Sequence, residues 1–369
     1  MKKNFIFLLI FCLSIISCKK GNIQAITDLF IRSEVLVHKN LNIKDDLDIL
    51  LSPGRMSTYN NFLIAHDSRS SLMFSLIDLE TNIINKSWGM KGQGSGEIVA
   101  ILDFYKNYND TGINAWDPML QRLNFYSFED ILKNTIITPL DLFKDTKGVT
   151  GQSFREQFYP NILQINESFF LALGNMDGKR FTLIDIISSN KTGIGEFPQQ
   201  DDNDIIPILK NQAYNGCIRY NKRQNKVAYI SYNSEMFEIF DVNDSNLNLK
   251  YGNYTTIPKF TFQSGGQSPG ISIEKFSNGN GCNVALSVSD DKIFILYQQF
   301  EKEIDDSDIG KYTSRDANKV LVFTWDGKPI KMYELDCMVE EIEYNENRNQ
   351  LFAVKSEPEP EIVCFDLDI

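Results

Sequence analysis

Asn61-Phe62-Leu63-Ile64-Ala65-His66-Asp67, a serine-rich turn, Leu72-Met73-Phe74-Ser75-Leu76-Ile77-Asp78, then Asn82-Ile83-Ile84-Asn85-Lys86-Ser87-Trp88: the reading of this stretch decides the fold. Apolar and polar residues alternate with period two, and β-branched and aromatic side chains dominate, so the pattern predicts strands. Asp and the serines break the runs where a turn is needed. The unit is therefore two aromatic-aliphatic strands and a more polar third strand that leads on to glycines.

The unit recurs along the chain. Gly112-Ile113-Asn114-Ala115-Trp116-Asp117 precedes Leu120–Tyr126, and Ser168–Leu173 precedes Arg180–Asp185. Lys226–Ser231 precedes Met236–Asp241. Lys292–Tyr297 is followed, after a long polar stretch, by Lys319–Thr324, and Gln350–Val354 by Glu361–Asp366. The second strands start about 40 to 80 residues apart, the size of a four-stranded propeller blade with variable loops. A β-sandwich needs no six copies of one unit, and a parallel β-helix has a shorter period. The sequence thus predicts an all-β, six-bladed β-propeller of four-stranded antiparallel blades. The sixth unit ends at the C-terminus without room for a fourth strand. The segment Asp28–Val37 is the candidate to supply it, an N-terminal strand closing the last blade and removing free sheet edges.

The N-terminus has a separate character. Lys2 and Lys3 precede an apolar run from Phe5 to Ile16, too short to span a bilayer of about 30 Å and of signal-peptide length. Ile15-Ile16-Ser17-Cys18 resembles a bacterial lipobox. That resemblance implies cleavage before Cys18, acylation of its thiol and attachment to a membrane. The expected organisation is a signal peptide over 1–17, a lipidated tether over 18–27 and a propeller over 28–369. Lys19-Lys20 stand where some surface-exported lipoproteins carry an acidic cluster, which favours an anchored domain facing the periplasm over the cell surface.

The net charge of −12 becomes −14 once Lys2 and Lys3 are removed, and no stripe of Lys and Arg interrupts it. Phosphate binding needs such clusters, so nucleic acid is excluded as a partner. There are two histidines, His38 and His66, and no zinc-type run of His and Cys. Four cysteines remain for the folded part: Cys217, Cys282, Cys337 and Cys364. An oxidising envelope would permit disulfides among them, in any of three connectivities; buried free thiols are the alternative.

Gly92-Gln93-Gly94-Ser95-Gly96-Glu97 and the Ile113–Tyr126 stretch, with Trp116-Asp117 and Arg122-Leu123, resemble an NHL-type repeat. The glycine run also resembles the Gly-x-Gly-Pro-x-Glu-aromatic signature of TolB-like six-bladed propeller lipoproteins. Ser95 replaces its Pro and Ile98 its aromatic residue. The resemblance implies fold and envelope location more than activity. The glycines do not fit the G-x-G-x-x-G spacing of a phosphate loop, and no Lys-Ser/Thr follows.

Two acidic clusters, Asp201-Asp202-Asn203-Asp204 and Asp305-Asp306-Ser307-Asp308, are the candidate metal ligands, for Ca²⁺, though neither has EF-hand spacing. They lie in the two strongest candidate recognition loops, about 199–209 and 299–318. Those loops would suit a cationic or metal-bridged partner. His66 beside Asp67, with Ser68, Ser70 and Ser71 nearby, invites a triad reading, but no G-x-S-x-G elbow is present. Trp88, Trp116 and Trp325 could line a groove or pack between blades. These features predict a lipid-anchored envelope propeller that binds a protein or small ligand. The alternatives are a metal-dependent hydrolase or lyase working in the central channel and a glycan-binding component of nutrient uptake.

Overall fold

Four sheets of the computed structural model repeat one pattern. The structure describes residues 25–44, 50–94, 96–133, 137, 139–141, 159–198, 207–243, 246–258, 260–263, 270–273, 281–300, 316–355 and 357–369. Cys18, the signal-peptide region and the acidic clusters Asp201–Asp204 and Asp305–Asp308 lie outside these residues.

Two short N-terminal strands, β1 (Ser33–Leu36) and β2 (Lys39–Asn40), come first. The first sheet is β3 (Pro53–Tyr59), β4 (Phe62–Asp67), β5 (Leu72–Asp78) and β6 (Ile83–Met90). The second is β7 (Asp103–Lys106), β8 (Gly112–Asp117), β9 (Arg122–Ser127) and, after helix α1 (Phe128–Lys133), β10 (Leu140–Asp141). The third is β11 (Asn161–Gln164), β12 (Phe169–Met176), β13 (Lys179–Asp185) and β14 (Asn190–Ile194). Helix α2 (Pro207–Ala213) leads to the fourth: β15 (Gly216–Asn221), β16 (Lys226–Ser231), β17 (Phe237–Asn243) and β18 (Asn246–Asn253). Each is an antiparallel meander in chain order. A small hairpin, β19 (Phe260–Gln263) with β20 (Gly270–Ile273), follows.

The remaining strands form one eight-stranded sheet: β21 (Gly281–Val288), β22 (Lys292–Gln299), β23 (Ala317–Thr324), β24 (Pro329–Asn345), β25 (Gln350–Lys355) and β26 (Glu361–Asp366), with β1 and β2 at its margins. The long strand β24 serves two neighbours. Its first half pairs with β23, its second with β25. Between the two, the register slips: two steps along β23, Ala317 to Lys319, face five along β24, Val339 back to Glu334. This bulge divides the sheet into β21, β22, β23 and the first half of β24, with β1 at its edge, and the second half of β24 with β25, β26 and β2.

The expected N-terminal strand is present but divided. Lys39–Asn40 pairs antiparallel with β26, at Cys364 and Val363. Ser33–Leu36, inside the segment expected to complete the last blade, instead runs parallel to the first half of β24. Ile26 is fully buried against Ile230, Phe237 and Ile295, and its N–H donates to Glu235. The packed body therefore begins by Ala25, within the stretch read as tether.

Tight turns join the strands, and the positive φ they require falls on Asn60, Asn82, Asp110, Asp177, Asn225 and Asn349. Asn and Asp tolerate this conformation better than other side-chain-bearing residues. Facing sheets bury their aromatic and aliphatic residues against each other, as where Phe74 meets Phe104 and Tyr126. Trp88, Trp116 and Trp325 are all buried. Trp116 donates to the Tyr159 carbonyl at 2.8 Å and Trp325 to the Ser289 carbonyl at 3.0 Å. They pack between sheets and offer no open platform for a sugar.

Candidate functional site at the mouth of the first strands

The first strand of each sheet carries polar residues in buried or half-buried positions. β3 carries Arg55, Ser57 and Thr58; β7 carries Asp103 and Lys106; β11 carries Asn161 and Gln164. β15 carries Arg219 and Asn221, β21 carries Asn283 and Ser287, and the second half of β24 carries Glu341 and Glu343. These residues reach across from sheet to sheet. Arg55 lies 3.6 Å from Asp103. Tyr105 accepts from the Gln164 N–H, and Asn161 from the Ile218 N–H. Asn283 donates to the carbonyls of Ser231, Ser234 and Met236. Ser287 donates to Glu343 at 2.9 Å, and Glu343 accepts from the Thr58 N–H at 3.2 Å. The last contact brings the end of the chain back to the first sheet.

Between these strands lies a cavity of about 360 Å³. It opens where the first strands turn into the second, so its rim is made of Tyr59, Asn60, Tyr108, Tyr220, Lys222, Asp290 and Glu346. Arg219 donates to fully buried Asp103 at 3.1 Å, while Arg55 reaches both Asp103 and Glu341, the latter at 3.9 Å. Asp103 Oδ2 is buried without a hydrogen-bond partner. Burial pushes the Glu341 and Glu343 carboxyls up, against the opposing pull of Arg55 on the first and Lys106 on the second. Lys106 and Lys222 are exposed, and Lys222 sits 5.7 Å from the Tyr108 ring. The site thus offers fixed charges of both signs under a tyrosine-rich rim. It suits recognition by hydrogen bonds and stacking. Beside the cavity Asp103 and Glu341 are engaged by arginines, and Glu343, which lines it, is held by Ser287 and the Thr58 N–H.

A family model for TolB-like six-bladed propellers matches residues 30–347. The chain belongs to the TolB-like 6-blade propeller-like family. Among solved structures, a DUF4221-family member from Bacteroides vulgatus is similar with a TM-score of 0.56 and 12% identity, over 91% of this chain and 97% of that one. A protein from Bacteroides fragilis, described as exported, is similar with a TM-score of 0.51 and 12% identity, over 90% and 94%. At such identities the likeness shows the fold alone. No curated protein sequence matches the chain.

Within this TolB-like fold the residues singled out from sequence take structural places. Asp67 and Asp117 do the same work in successive sheets. Asp67 accepts from the N–H groups of Ser52, Arg69 and Ser70, and Asp117 from those of Val99, Met119 and Leu120. Each fixes the turn after its strand and the chain leading into the first strand. In the glycine loop the Glu97 carboxylate accepts from the Gly94 N–H at 2.7 Å, and Arg122 donates to the Gly94 carbonyl. A Cβ at Gly92 would lie 2.1 Å from that carboxylate, so the glycine makes room for Glu97. The four cysteines are free thiols, with Cys217, Cys282 and Cys364 buried, and none of the disulfides weighed from sequence is formed. They lie on four strands: β15, β21, β24 and β26.

His66 is buried on β4, with Nε2 unpartnered, and Asp67 is occupied by main-chain donors. The geometry provides no triad. Burial, reinforced by the Arg55 charge, pushes the His66 imidazole down to about 4. The unfolded chain binds a proton here near pH 6.5 and the folded chain does not until about pH 4, so stability rises with pH across that window. Between pH 7 and pH 5 wild type should lose about 2 kcal/mol more than His66→Phe, read by urea unfolding at both values. Equal losses would remove the account of His66.

Proposed function

We propose that the chain is a lipid-anchored, six-bladed propeller of the cell envelope that holds an envelope protein at this mouth. The observation that carries the reading is the mouth itself, a recess with polar contributions from six neighbouring strands and the turns that follow them. Closure of the ring is supported by the Glu343–Thr58 contact between last and first sheets and by the pairing of Lys39–Asn40 with β26. The lipobox-like Ile15–Cys18 and a similar Bacteroides protein described as exported support the envelope location. Ligands of both charge signs fit the rim, which favours a polar peptide segment of a partner protein over a uniformly charged molecule. The buried tryptophans and the arginine-held carboxylates favour neither the glycan nor the hydrolase alternative.

The test is co-purification from gently solubilised envelopes. Wild type should bring down one stoichiometric protein. Lys106→Glu/Lys222→Glu should recover at least about 10-fold less of it, since opposing rim charge costs at least about 1.4 kcal/mol. Cys18→Ala should leave the chain in the soluble fraction. A partner recovered equally by the rim variant, or none in repeated preparations, would overturn the reading.

A further inference from the structure

We propose that His38, Asp336 and Cys337 form a site for a divalent transition ion of the Zn²⁺ class, clasping the N-terminal segment to β24. The ligand atoms of the three side chains lie within 4.8 Å of one another. His38 Nδ1 is 2.9 Å and 3.1 Å from the two Asp336 oxygens, and the His38 N–H also donates to Asp336.

Two backbone features bring the three together. In the parallel ladder of β1 on β24, Ser33 faces Met332 and Leu36 faces Leu335. Continued by two residues, that register sets His38 against Cys337. On the other side, the register slip between Glu334 and Val339 covers both ligands on β24. Adjacent residues of a regular strand point to opposite faces, whereas a bulge re-aims them. Asp336 and Cys337 can therefore serve one point.

The donor set selects the ion. Imidazole nitrogen, thiolate sulfur and carboxylate oxygen suit Zn²⁺ and similar ions, while Ca²⁺ and Mg²⁺ take oxygen ligands in larger number. Tetrahedral bonds of about 2.0–2.3 Å separate ligand atoms by about 3.3–3.8 Å, so His38 and Asp336 need only spread slightly and Cys337 approach by at most about 1.5 Å to accept an ion. Asp336 is exposed, which leaves the fourth position to water. The ion would join the ends of two chain segments about 300 residues apart, at the margin where β1 and β2 hold the last sheet.

The test is titration of the chelator-stripped, full-length lipidated chain with Co²⁺, then Zn²⁺. One equivalent of Co²⁺ should give thiolate charge-transfer absorption, abolished in Cys337→Ser and displaced by Zn²⁺. His38→Ala should bind at least about 10-fold more weakly. Zn²⁺ should raise the unfolding temperature of wild type and not of Cys337→Ser. Matching circular dichroism of both variants to wild type without metal controls for folding. Absence of the thiolate band, or equal binding by Cys337→Ser and wild type, would overturn the site and leave a His38–Asp336 hydrogen bond.

Discussion

Replacing Glu238 with alanine should lower the unfolding free energy by about 3–5 kcal/mol. Glu238 on β17 is almost wholly buried and pairs with Arg180 on β13, which is equally buried. The guanidinium lies 4.7 Å from the Phe181 ring and 4.8 Å from the Tyr229 ring, and Tyr254 donates to the carboxylate at 2.6 Å. Removing the carboxylate leaves a cation surrounded by rings with no water to solvate it. Cation–π attraction recovers only about 2 kcal/mol of that loss. Arg180→Met/Glu238→Leu removes both charges and should cost much less than the single change. Urea unfolding of the single and double variants separates the two cases. A single variant within about 1 kcal/mol of wild type would mean that the pair does not join the third and fourth sheets.

Deleting residues 19–40 should abolish cooperative folding. Ile26 and Leu36 are buried, and burial of such side chains contributes about 1.5–3 kcal/mol each. Glu235 would lose the Ile26 N–H, and its remaining buried partner Tyr297 cannot replace it. The deletion also exposes the edges of β26 and of the first half of β24 to other chains. The sum is on the order of 5 kcal/mol, comparable with the stability of a whole domain. Thermal unfolding followed by circular dichroism should show a broad or absent transition and aggregation. A truncated chain with the wild-type midpoint would show that the N-terminal segment is ornamental.

The legible part of the fold and the hidden part differ in their solvent. Phe62–Asp67, Leu72–Asp78, Lys226–Ser231 and Glu361–Asp366 are the second and third strands of their sheets, buried between neighbouring sheets, and their alternation announces them. The first strands carry no such signal. Asp103–Lys106 and Asn161–Gln164 are short and border the cavity with Tyr105, Lys106 and Gln164, so their residues read as loop. The site therefore sits on elements that hydrophobic periodicity misses, and Arg55, Asp103, Arg219 and Glu341 carry no local sequence signal. His38 and Cys337 are about 300 residues apart, and only the parallel pairing of β1 with β24 makes them neighbours. The local signal that did carry through was the aspartate at the strand end, at Asp67 and Asp117. There the turn contacts, to Arg69 and Ser70 and to Met119 and Leu120, lie within three residues of the signal.

Recognition at the mouth lined by the first strands is open to a direct test. The most direct measurement places a photo-crosslinking amino acid at Tyr108 or Tyr220 on the rim and, as a control, at Ile187, which is 80% exposed. Irradiation of intact envelopes and mass spectrometry of the adducts reads the outcome. The account expects one discrete protein adduct from both rim positions and none from Ile187. Adducts from Ile187 alone, or no adduct from either rim position, would contradict it.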